Sequence, residues 1–394
     1  MKRVAVLAVL LVALSALAPA AATGARGLLV GLFDESETLG YPDRSFPLLK
    51  TLRVQAIRSN LYWGGPIGVA TRRPAQPANP ADPAYDWVPY DRMAREAAKQ
   101  RIKVVFSIYR TPAWAGGGPR GNRAPRVARD LRNFAYAAAK RYSGSFVPDD
   151  SNPETQDVAL PAVRHWLAWN EPNNPLFLHP QFKRVGSGKK RRWIAQSPRD
   201  YARICAAVYA GVHATLLRAE KVACGVTAPR GNNIAGRARG SIGPIAFLRG
   251  LRKAGLRRFD AYAHHPYYGK PSETPASKPK VNLGKRGRIA PPVILGNISD
   301  LVREVTRLYG RKRIWITEYG YQTRPPDRLF GVTYSKQARY LRQAYAIARR
   351  HPRIDMMLWF LLRDQRALGD WQSGLMTFRG KRKPAFGAFR LMPR

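Results

Sequence analysis

Residues 162–173 read AVRHWLAWNEPN, an apolar run that ends on the carboxylate of Glu171. From Val163 onward the run has the length and the aromatic and branched residues of a buried strand. An unpaired charge at the end of a buried strand is costly, so Glu171 needs either a partner or a chemical role there. Which of the two applies depends on the kind of sheet that contains this strand.

Short apolar runs alternate with longer amphipathic runs along most of the chain. The predicted strands are 27–33, 54–63, 102–109, 163–171, 222–228, 259–267, 313–320 and 354–362. The main predicted helices are 91–101, 128–142, 200–220, 244–255, 298–310 and 334–351. Near-continuous apolar strands that alternate with helices indicate a parallel sheet covered by helices. Eight such units predict an α/β protein, a (β/α)8 TIM barrel that forms a single domain over 23–394. The alternative, a doubly wound sheet, is disfavoured because no G-x-G-x-x-G follows the first strand.

The first residues have the pattern of an export signal. Two basic residues precede an apolar stretch from Val4 to about Ala18, and small residues that fit a cleavage site follow. This pattern predicts a signal peptide over 1–22 and a secreted, extracellular protein, with an uncleaved anchor as the alternative. The apolar stretch is short for a membrane span, and the mature protein is predicted to have no transmembrane segment.

The formal net charge is +43, with 68 basic and 25 acidic residues. Such a field favours weak attraction to acidic polymers or to a cell surface. The basic residues are scattered, however, and the densest run, KKRR at 189–192, lies in a predicted loop. No nucleic-acid-binding motif accompanies them, so a solvated basic surface without a specific nucleic-acid partner is the favoured interpretation.

The two cysteines, Cys205 and Cys224, are predicted to remain free thiols. Export permits a disulfide. On the predicted elements, however, Cys205 lies near the start of a helix and Cys224 near the start of the next strand. Their heights along the barrel then differ by roughly 10 Å, which exceeds the bridgeable distance of about 7 Å.

A second glutamate, Glu318, ends the predicted seventh strand in RIWITEYGYQT. Strands four and seven lie on opposite sides of an eight-stranded barrel, so Glu171 and Glu318 are expected to face each other across its mouth. Two opposed carboxylates are what cleavage of a glycosidic bond requires. A buried carboxyl with a raised pKa makes the acid, and an ionised, hydrogen-bonded one makes the nucleophile.

The two motifs that contain these glutamates, Asn-Glu-Pro at 170–172 and Thr-Glu-Tyr-Gly at 317–320, resemble clan A of the glycoside hydrolases, the 4/7 superfamily. The stretches TPAWA (111–115), HPY (265–267), WF (359–360) and KPAF (383–386) are also similar to cellulase-like family 5 and xylosidase-like family 39 members. The resemblance covers nearly the whole mature chain. It implies a retaining hydrolase that cleaves O-glycosidic bonds of a β-linked poly- or oligosaccharide by double displacement. Glu171 would be the acid/base and Glu318 the nucleophile.

The resemblance also implies roles for residues around the two glutamates. Asn170 matches the asparagine that binds the sugar 2-hydroxyl, and Tyr267 the tyrosine that binds the nucleophile. Arg58 matches the arginine that holds the nucleophile ionised, and His265 a histidine that family members often place at the site. Trp359 matches the aromatic platform under the sugar.

Other candidate residues carry a structural alternative. Three candidates lie at the ends of strands two and three and could line neighbouring subsites: Trp63, Trp114 and Asn60. The alternative for the two tryptophans is packing in the core. Asp34 and Glu35 either reach a sugar hydroxyl or lie in a solvated loop. His264 is predicted to be structural, and Trp166 to lie in the barrel wall.

No cofactor or metal is predicted, because no residue cluster has metal-ligand spacing and two carboxylates suffice for hydrolysis. The substrate is predicted to be a polysaccharide or oligosaccharide whose sugar and linkage stay open. The alternative function is a non-catalytic carbohydrate- or polyanion-binding barrel at the cell surface. The combination of both glutamates with Asn170, Tyr267 and Arg58 argues against it, because a binder needs no acid–nucleophile pair.

Overall fold

The computed structural model describes residues 27–149, 157–279 and 291–394. The predicted signal peptide, 1–22, lies outside the described residues. None of the described helices is long and apolar enough to cross a membrane.

Eight parallel strands close into a barrel, as predicted. They are β1 (Leu29–Phe33), β2 (Ala56–Tyr62), β3 (Lys103–Tyr109), β4 (His165–Ala168), β7 (Lys221–Thr227), β8 (Ala261–His264), β9 (Arg313–Tyr319) and β10 (Ile354–Phe360). Around the barrel each strand pairs with its neighbours in the order β1-β10-β9-β8-β7-β4-β3-β2, so the first strand also pairs with the last. The prediction of a (β/α)8 TIM barrel is confirmed.

A separate antiparallel hairpin, β5 (Phe182–Val185) and β6 (Arg192–Ala195), follows the fourth barrel strand. It was not predicted, because its pattern of exposed basic residues resembles a loop. Since it follows the carboxyl end of β4, the hairpin belongs to the face of the barrel where sites are built.

Nine helices are found in the described residues. They are α1 (Glu35–Gly40), α2 (Pro42–Thr51), α3 (Val88–Lys99), α4 (Ala128–Arg141), α5 (Ser197–His213), α6 (Pro244–Lys253), α7 (Ile298–Tyr309), α8 (Tyr334–Arg350) and α9 (Pro384–Arg390). Helix α1 borders the mouth of the barrel, and the others cover its outside. Local signals set their ends: Thr333 caps α8 by accepting from the N–H of Lys336, and Gly310, at φ 78°, ends α7.

The alternation of side chains along each strand separates two buried layers. One set fills the barrel lumen: Ala56, Val105, Leu167, Ala223, Val226, Ala261, Ala263, Trp315, Met356 and Leu358. The residues between them point outward and pack under the helices, among them Trp166, which is fully buried in the barrel wall as predicted. This alternation decides which residues near each strand end reach the mouth of the barrel.

Cys205 and Cys224 form a disulfide, so the prediction of free thiols is wrong. The predicted helix over 200–220 was displaced toward the carboxyl end. The observed α5 begins at Ser197 and ends at His213, which puts Cys205 in its middle. Cys224 lies in the middle of β7 and points outward toward the helices. Both residues therefore lie at the same height, with their Cα atoms 6.0 Å apart.

Candidate active site

A cleft of about 1070 Å³ opens at the carboxyl ends of the barrel strands, where the sequence analysis placed the site. Both glutamates line it, together with Asn60, Asn170 and Tyr267. Arg58 and His265 are fully buried directly behind these residues.

A bulge in β9 turns Glu318 into the cleft. Ile316 of β9 pairs with Met357 of β10, and Tyr319 pairs with Trp359. Between these two pairs β9 has two residues and β10 has only one. Ile316 and Tyr319 pack in the outer layer. The extra residue allows two successive side chains, Thr317 and Glu318, to face inward, which a regular strand would not permit.

Both carboxylate oxygens of Glu318 accept strong donors. Arg58 Nη1 donates to Oε1 at 2.7 Å, and the Tyr267 hydroxyl donates to Oε2 at 3.1 Å. Burial and the neighbouring carboxylates raise the pKa of Tyr267 well above its ordinary value, so the phenol keeps its proton. Glu318 is thus a buried carboxylate with a fixed orientation and a cation in contact.

The backbone at the end of β4 is strained where it presents Glu171. Trp169 and Glu171 have φ angles of 72° and 36°, in the left-handed region that non-glycine residues rarely adopt. Each such residue costs on the order of 1–3 kcal/mol and persists only where the surroundings hold it. The N–H of Glu171 donates to Val226 O at 2.9 Å, and the Trp169 indole donates to Phe177 O at 2.7 Å.

Glu171 has weaker and less charged partners than Glu318. The Asn174 amide donates to Oε2 at 3.4 Å, and the Nδ1 atom of His265 lies 3.0 Å from Oε1. Burial raises the pKa of Glu171 from 4.5 to about 7, against smaller opposing effects of Asn174 and Arg58. Near neutral pH this carboxyl is therefore available both as an acid and as a base.

His265 lies between the two carboxylates and is neutral, because burial lowers its pKa to about 3. Arg58 can only donate, and its Nη1 lies 3.1 Å from His265 Nε2, so Nε2 accepts and Nδ1 carries the proton. Nδ1 is 3.0 Å from Glu171 Oε1 and 3.6 Å from Glu318 Oε1. A ring proton thus points at the space between the two glutamates.

Arg58 connects most of the predicted residues. While Nη1 holds Glu318, Nη2 donates to Asn170 Oδ1 at 2.6 Å. The asparagine therefore keeps its NH2 group free to face the cleft. The guanidinium also lies over the ring of Phe33, 4.4 Å from its centroid. The sequence analysis predicted Arg58 only as a partner of Glu318, and its contact with Asn170 was not anticipated.

The acidic residues after β1 have different environments. The Asp34 carboxylate accepts the N–H groups of Leu362 and Arg363 at 3.0 and 3.1 Å, so it joins β1 to the end of β10. Glu35 lines the cleft, where its Oε1 accepts from the Tyr62 hydroxyl at 2.5 Å and its Oε2 from the Asn60 N–H at 3.2 Å. Both residues line the cleft, but the contacts of Asp34 join two strands, whereas those of Glu35 are with other cleft residues.

The three predicted tryptophans do not reach the cleft. Met357 and Trp359 lie in the outer layer of β10, whereas Met356 and Leu358 point into the lumen, so Trp359 is fully buried on the helix side. Its indole donates to Ser373 O at 2.9 Å. The sugar contact expected of Trp359 is therefore not supported, because the alternation of the strand points the side chain away.

Trp63 and Trp114 pack together at the edge of the core. Trp63 is fully buried and stacks on Phe134, with 5.8 Å between ring centroids. Trp114 contacts Trp63 edge to face, and its indole donates to Ala70 O. The packing alternative thus describes both residues, and neither lines the cleft.

Other aromatic residues supply a wall of the cleft beside Glu318. Phe360 follows Trp359 and therefore points inward, and Trp371 lies in the loop after β10 with 37% of its surface exposed. The Trp371 ring lies 5.2 Å from that of Tyr267 and 5.4 Å from that of Phe360. Sequence reasoning missed both residues, although strand alternation at 359–360 could have indicated Phe360.

The ligand atoms of Glu171, His265 and Glu318 lie within 4.8 Å of one another, close enough in principle to hold a metal ion. The surroundings do not suit one, because the Arg58 guanidinium already contacts Glu318 Oε1 and a divalent cation would lie beside that charge. The arrangement instead resembles a pair of carboxylates with a neutral imidazole between them.

Comparison with known proteins gives one family match. Residues 295–388, which include Glu318, match the family model described as a glycosyl hydrolase catalytic core. No curated protein sequence matches the chain.

Several solved structures share the fold. They include a glucosidase from Croceicoccus marinus (15% identity, TM-score 0.62, 93% of this chain and 67% of that one). A family 39 glycoside hydrolase from Bacteroides cellulosilyticus WH2 is 18% identical, with a TM-score of 0.56 over 93% of this chain and 63% of that one. Fungal β-1,4-galactanases are 15% identical, with a TM-score of 0.56 over 93% of this chain and all of theirs.

This chain thus spans about two thirds of the length of the two bacterial proteins. At these identities the likeness establishes the barrel fold. The family match adds a glycosyl hydrolase catalytic core over residues 295–388, which agrees with the prediction of a glycoside hydrolase on this fold.

Proposed function

We propose that the protein is an exported, retaining glycoside hydrolase in which Glu318 is the nucleophile and Glu171 the acid/base. The observation that carries the proposal is the spacing of the two carboxylates, which have oxygens within 4.8 Å of each other. Retaining enzymes hold their carboxyl groups about 5–5.5 Å apart, whereas inverting enzymes need roughly 6.5–9.5 Å to admit a water.

The difference in surroundings assigns the roles. An oxygen of Glu318, which contacts the Arg58 guanidinium, attacks the anomeric carbon and forms a glycosyl ester. Glu171, protonated in its apolar setting, gives its proton to the departing glycosidic oxygen. The resulting carboxylate then takes a proton from water, which attacks the same carbon and releases Glu318 with the configuration retained.

Asn170 and Trp371 are proposed to hold the sugar. The free NH2 group of Asn170, whose carbonyl oxygen is fixed by Arg58, is suited to donate to the 2-hydroxyl. Trp371 replaces Trp359 as the proposed aromatic platform, because it is a partly exposed indole in contact with Tyr267, the residue that donates to Glu318. A β-linked poly- or oligosaccharide is the proposed substrate class.

A mechanism-based label tests the assignment. A 2-deoxy-2-fluoro glycoside of the sugar that a substrate screen identifies should form a stable adduct on the peptide containing Thr317–Tyr319. The initial products of the wild-type enzyme, followed by proton NMR, should retain the anomeric configuration. An adduct on Glu171, or products of inverted configuration, would overturn the proposal.

Export is supported by the disulfide, because such bonds persist in oxidising compartments. We expect the mass of the secreted protein to match cleavage near residue 22 with one disulfide and no free thiol. A cytosolic product with the full N-terminus and two titratable thiols would contradict export.

A further inference from the structure

A second cavity, of about 780 Å³, adjoins the cleft on the side of Glu171. Asn174, Leu176 and Arg230 line both cavities, and Asn174 is the residue that donates to Glu171 Oε2. Both glutamates line the first cavity and neither lines the second, so Asn174 is the residue that links the second cavity to Glu171. If Glu171 protonates the departing oxygen, as proposed above, the second cavity lies where the leaving group extends.

The two cavities differ in charge. The main cleft is lined by four acidic residues, Asp34, Glu35, Glu171 and Glu318, and by two arginines, Arg110 and Arg230. The second cavity has no aspartate or glutamate among the described residues that line it, and it has four arginines: Arg120, Arg123, Arg230 and Arg239. The charged part of the described lining thus changes from mixed acidic and basic residues in the first cavity to basic residues alone in the second.

Three of these arginines are available to a ligand. Arg230 donates to Glu273 Oε2 at 3.2 Å, so its charge is partly balanced. Arg120, Arg123 and Arg239 are exposed, and within the described part of the chain none of them forms an ion pair. Burial lowers the pKa of His179, another lining residue, and the nearby charge of Arg123 lowers it further, as expected where the potential is positive.

Basic residues continue beyond the cavity in the loop that contains Arg239 and in the neighbouring hairpin. The Asn232 amide donates to Arg239 O at 3.0 Å and accepts the N–H of Ser241, which fixes the loop that contains Arg239. Trp193 of the hairpin packs against Gly236 in the same loop. The hairpin segment 182–195 contains six basic residues and no acidic one.

We propose that the second cavity is a subsite for an anionic sugar residue on the leaving-group side of the cleft, bound by Arg120, Arg123 and Arg239. A carboxylate, sulfate or phosphate group matches the planar donor fork of arginine. The proposal has two parts. The assignment of the cavity to the leaving-group side rests on the proposed function, whereas the binding of an anionic sugar there does not.

Binding of defined oligosaccharides tests the subsite. Calorimetry at about 0.15 M salt compares neutral galactotetraose with an oligogalacturonate, a sulfated carrageenan oligosaccharide and a phosphorylated oligomannoside of similar length. The Glu318→Ala variant serves as a non-hydrolysing background. We expect at least one anionic ligand to bind about 10- to 100-fold more tightly than the neutral one, and the three arms distinguish the anionic groups.

Two matched triple variants distinguish binding in the second cavity from a general attraction of anions to the basic protein. Arg120→Ala/Arg123→Ala/Arg239→Ala should abolish the preference. The control Arg218→Ala/Arg258→Ala/Arg311→Ala removes three exposed arginines that precede β7, β8 and β9, on the opposite face, and should retain it. Equal losses in both triples, or no preference in the parent protein, would overturn the proposal.

The fluoroglycoside adduct locates the subsite. With the sugar side of the cleft filled and the leaving-group side open, the preferred anionic ligand should still bind within about threefold of its original affinity. Exclusion of the ligand from the adduct would refute the leaving-group position. Failure to form any adduct would count against the proposed function and leave the binding result of the triple variants standing.

Discussion

Glu171 and Glu318 are buried to a similar extent in one cleft, at 9% and 8% exposure, but their neighbours differ in charge. Glu318 contacts the Arg58 guanidinium and the Tyr267 hydroxyl. Glu171 has a neutral imidazole and an amide, and burial dominates its pKa. Burial alone therefore does not set the role of a carboxylate. A single arginine gives one glutamate a cationic partner, whereas burial raises the pKa of the other so that it can exchange a proton near neutral pH.

The largest expected effect is the loss of the anion. Glu318→Ala should lower kcat by about 10⁵-fold, because no covalent intermediate can form. Azide, which fits the space left by the carboxylate, should restore turnover and give a glycosyl azide of inverted configuration. Unchanged circular dichroism would exclude misfolding as the cause. Restoration without an azide product would mean that Glu318 is not the nucleophile.

The decrease in kcat caused by removing the proton donor should depend on the leaving group of the substrate. Glu171→Gln should lower kcat by about 10²- to 10⁴-fold for alkyl glycosides but much less for dinitrophenyl glycosides, which need little protonation. Wild-type activity should decline as pH rises above about 7, where Glu171 loses its proton. The variant should lack this alkaline limb on activated substrates. An unchanged alkaline limb would show that another group supplies the proton.

The free energy of unfolding should distinguish the two glutamates without any substrate. The folded state raises the pKa of Glu171 from 4.5 to about 7, so it stabilises the protein below pH 4.5 and loses that contribution as pH rises through 7. The free energy of unfolding of Glu171→Gln should therefore rise relative to wild type between pH 5 and 8, by up to about 3 kcal/mol.

The matched variant Glu318→Gln should behave in the opposite way. It leaves the Arg58 charge buried without a counter-ion, which costs on the order of 3–5 kcal/mol at neutral pH. Denaturant titrations at pH 5 and pH 8 measure both variants. Destabilisation of equal size in both would refute the electrostatic difference between the two sites.

The sequence predicts which face of the barrel holds the two glutamates, because that depends on the order of strands. The carboxyl ends of parallel barrel strands meet at one face, so a glutamate at each end must approach the other. The contacts of Arg58 with Glu318 and Asn170 follow from the same geometry, because residues on alternate positions of β2 point inward.

Features that depend on a shift of one to three residues could not be predicted. The bulge that turns Glu318 inward has no signal in RIWITEYG. The misplaced bounds of α5 led to the wrong prediction for Cys205 and Cys224, since three residues of helix displace a side chain by about 4.5 Å. The choice between Trp359 and Phe360 depends on a single step of strand alternation.

The smallest expected effect tests which tryptophan contacts the sugar on the Glu318 side of the cleft. Trp371→Ala should raise KM by about tenfold, because aromatic contact contributes roughly 0.5–1.5 kcal/mol beyond area burial. Trp371 contacts Tyr267, which in turn donates to Glu318, so a smaller decrease in kcat should accompany the change in KM. Trp359→Phe is the control: its ring faces the helices, and it should lower the melting temperature while KM stays within about twofold. The reverse pattern, with KM sensitive to Trp359 and indifferent to Trp371, would restore the role that the sequence resemblance implies for Trp359.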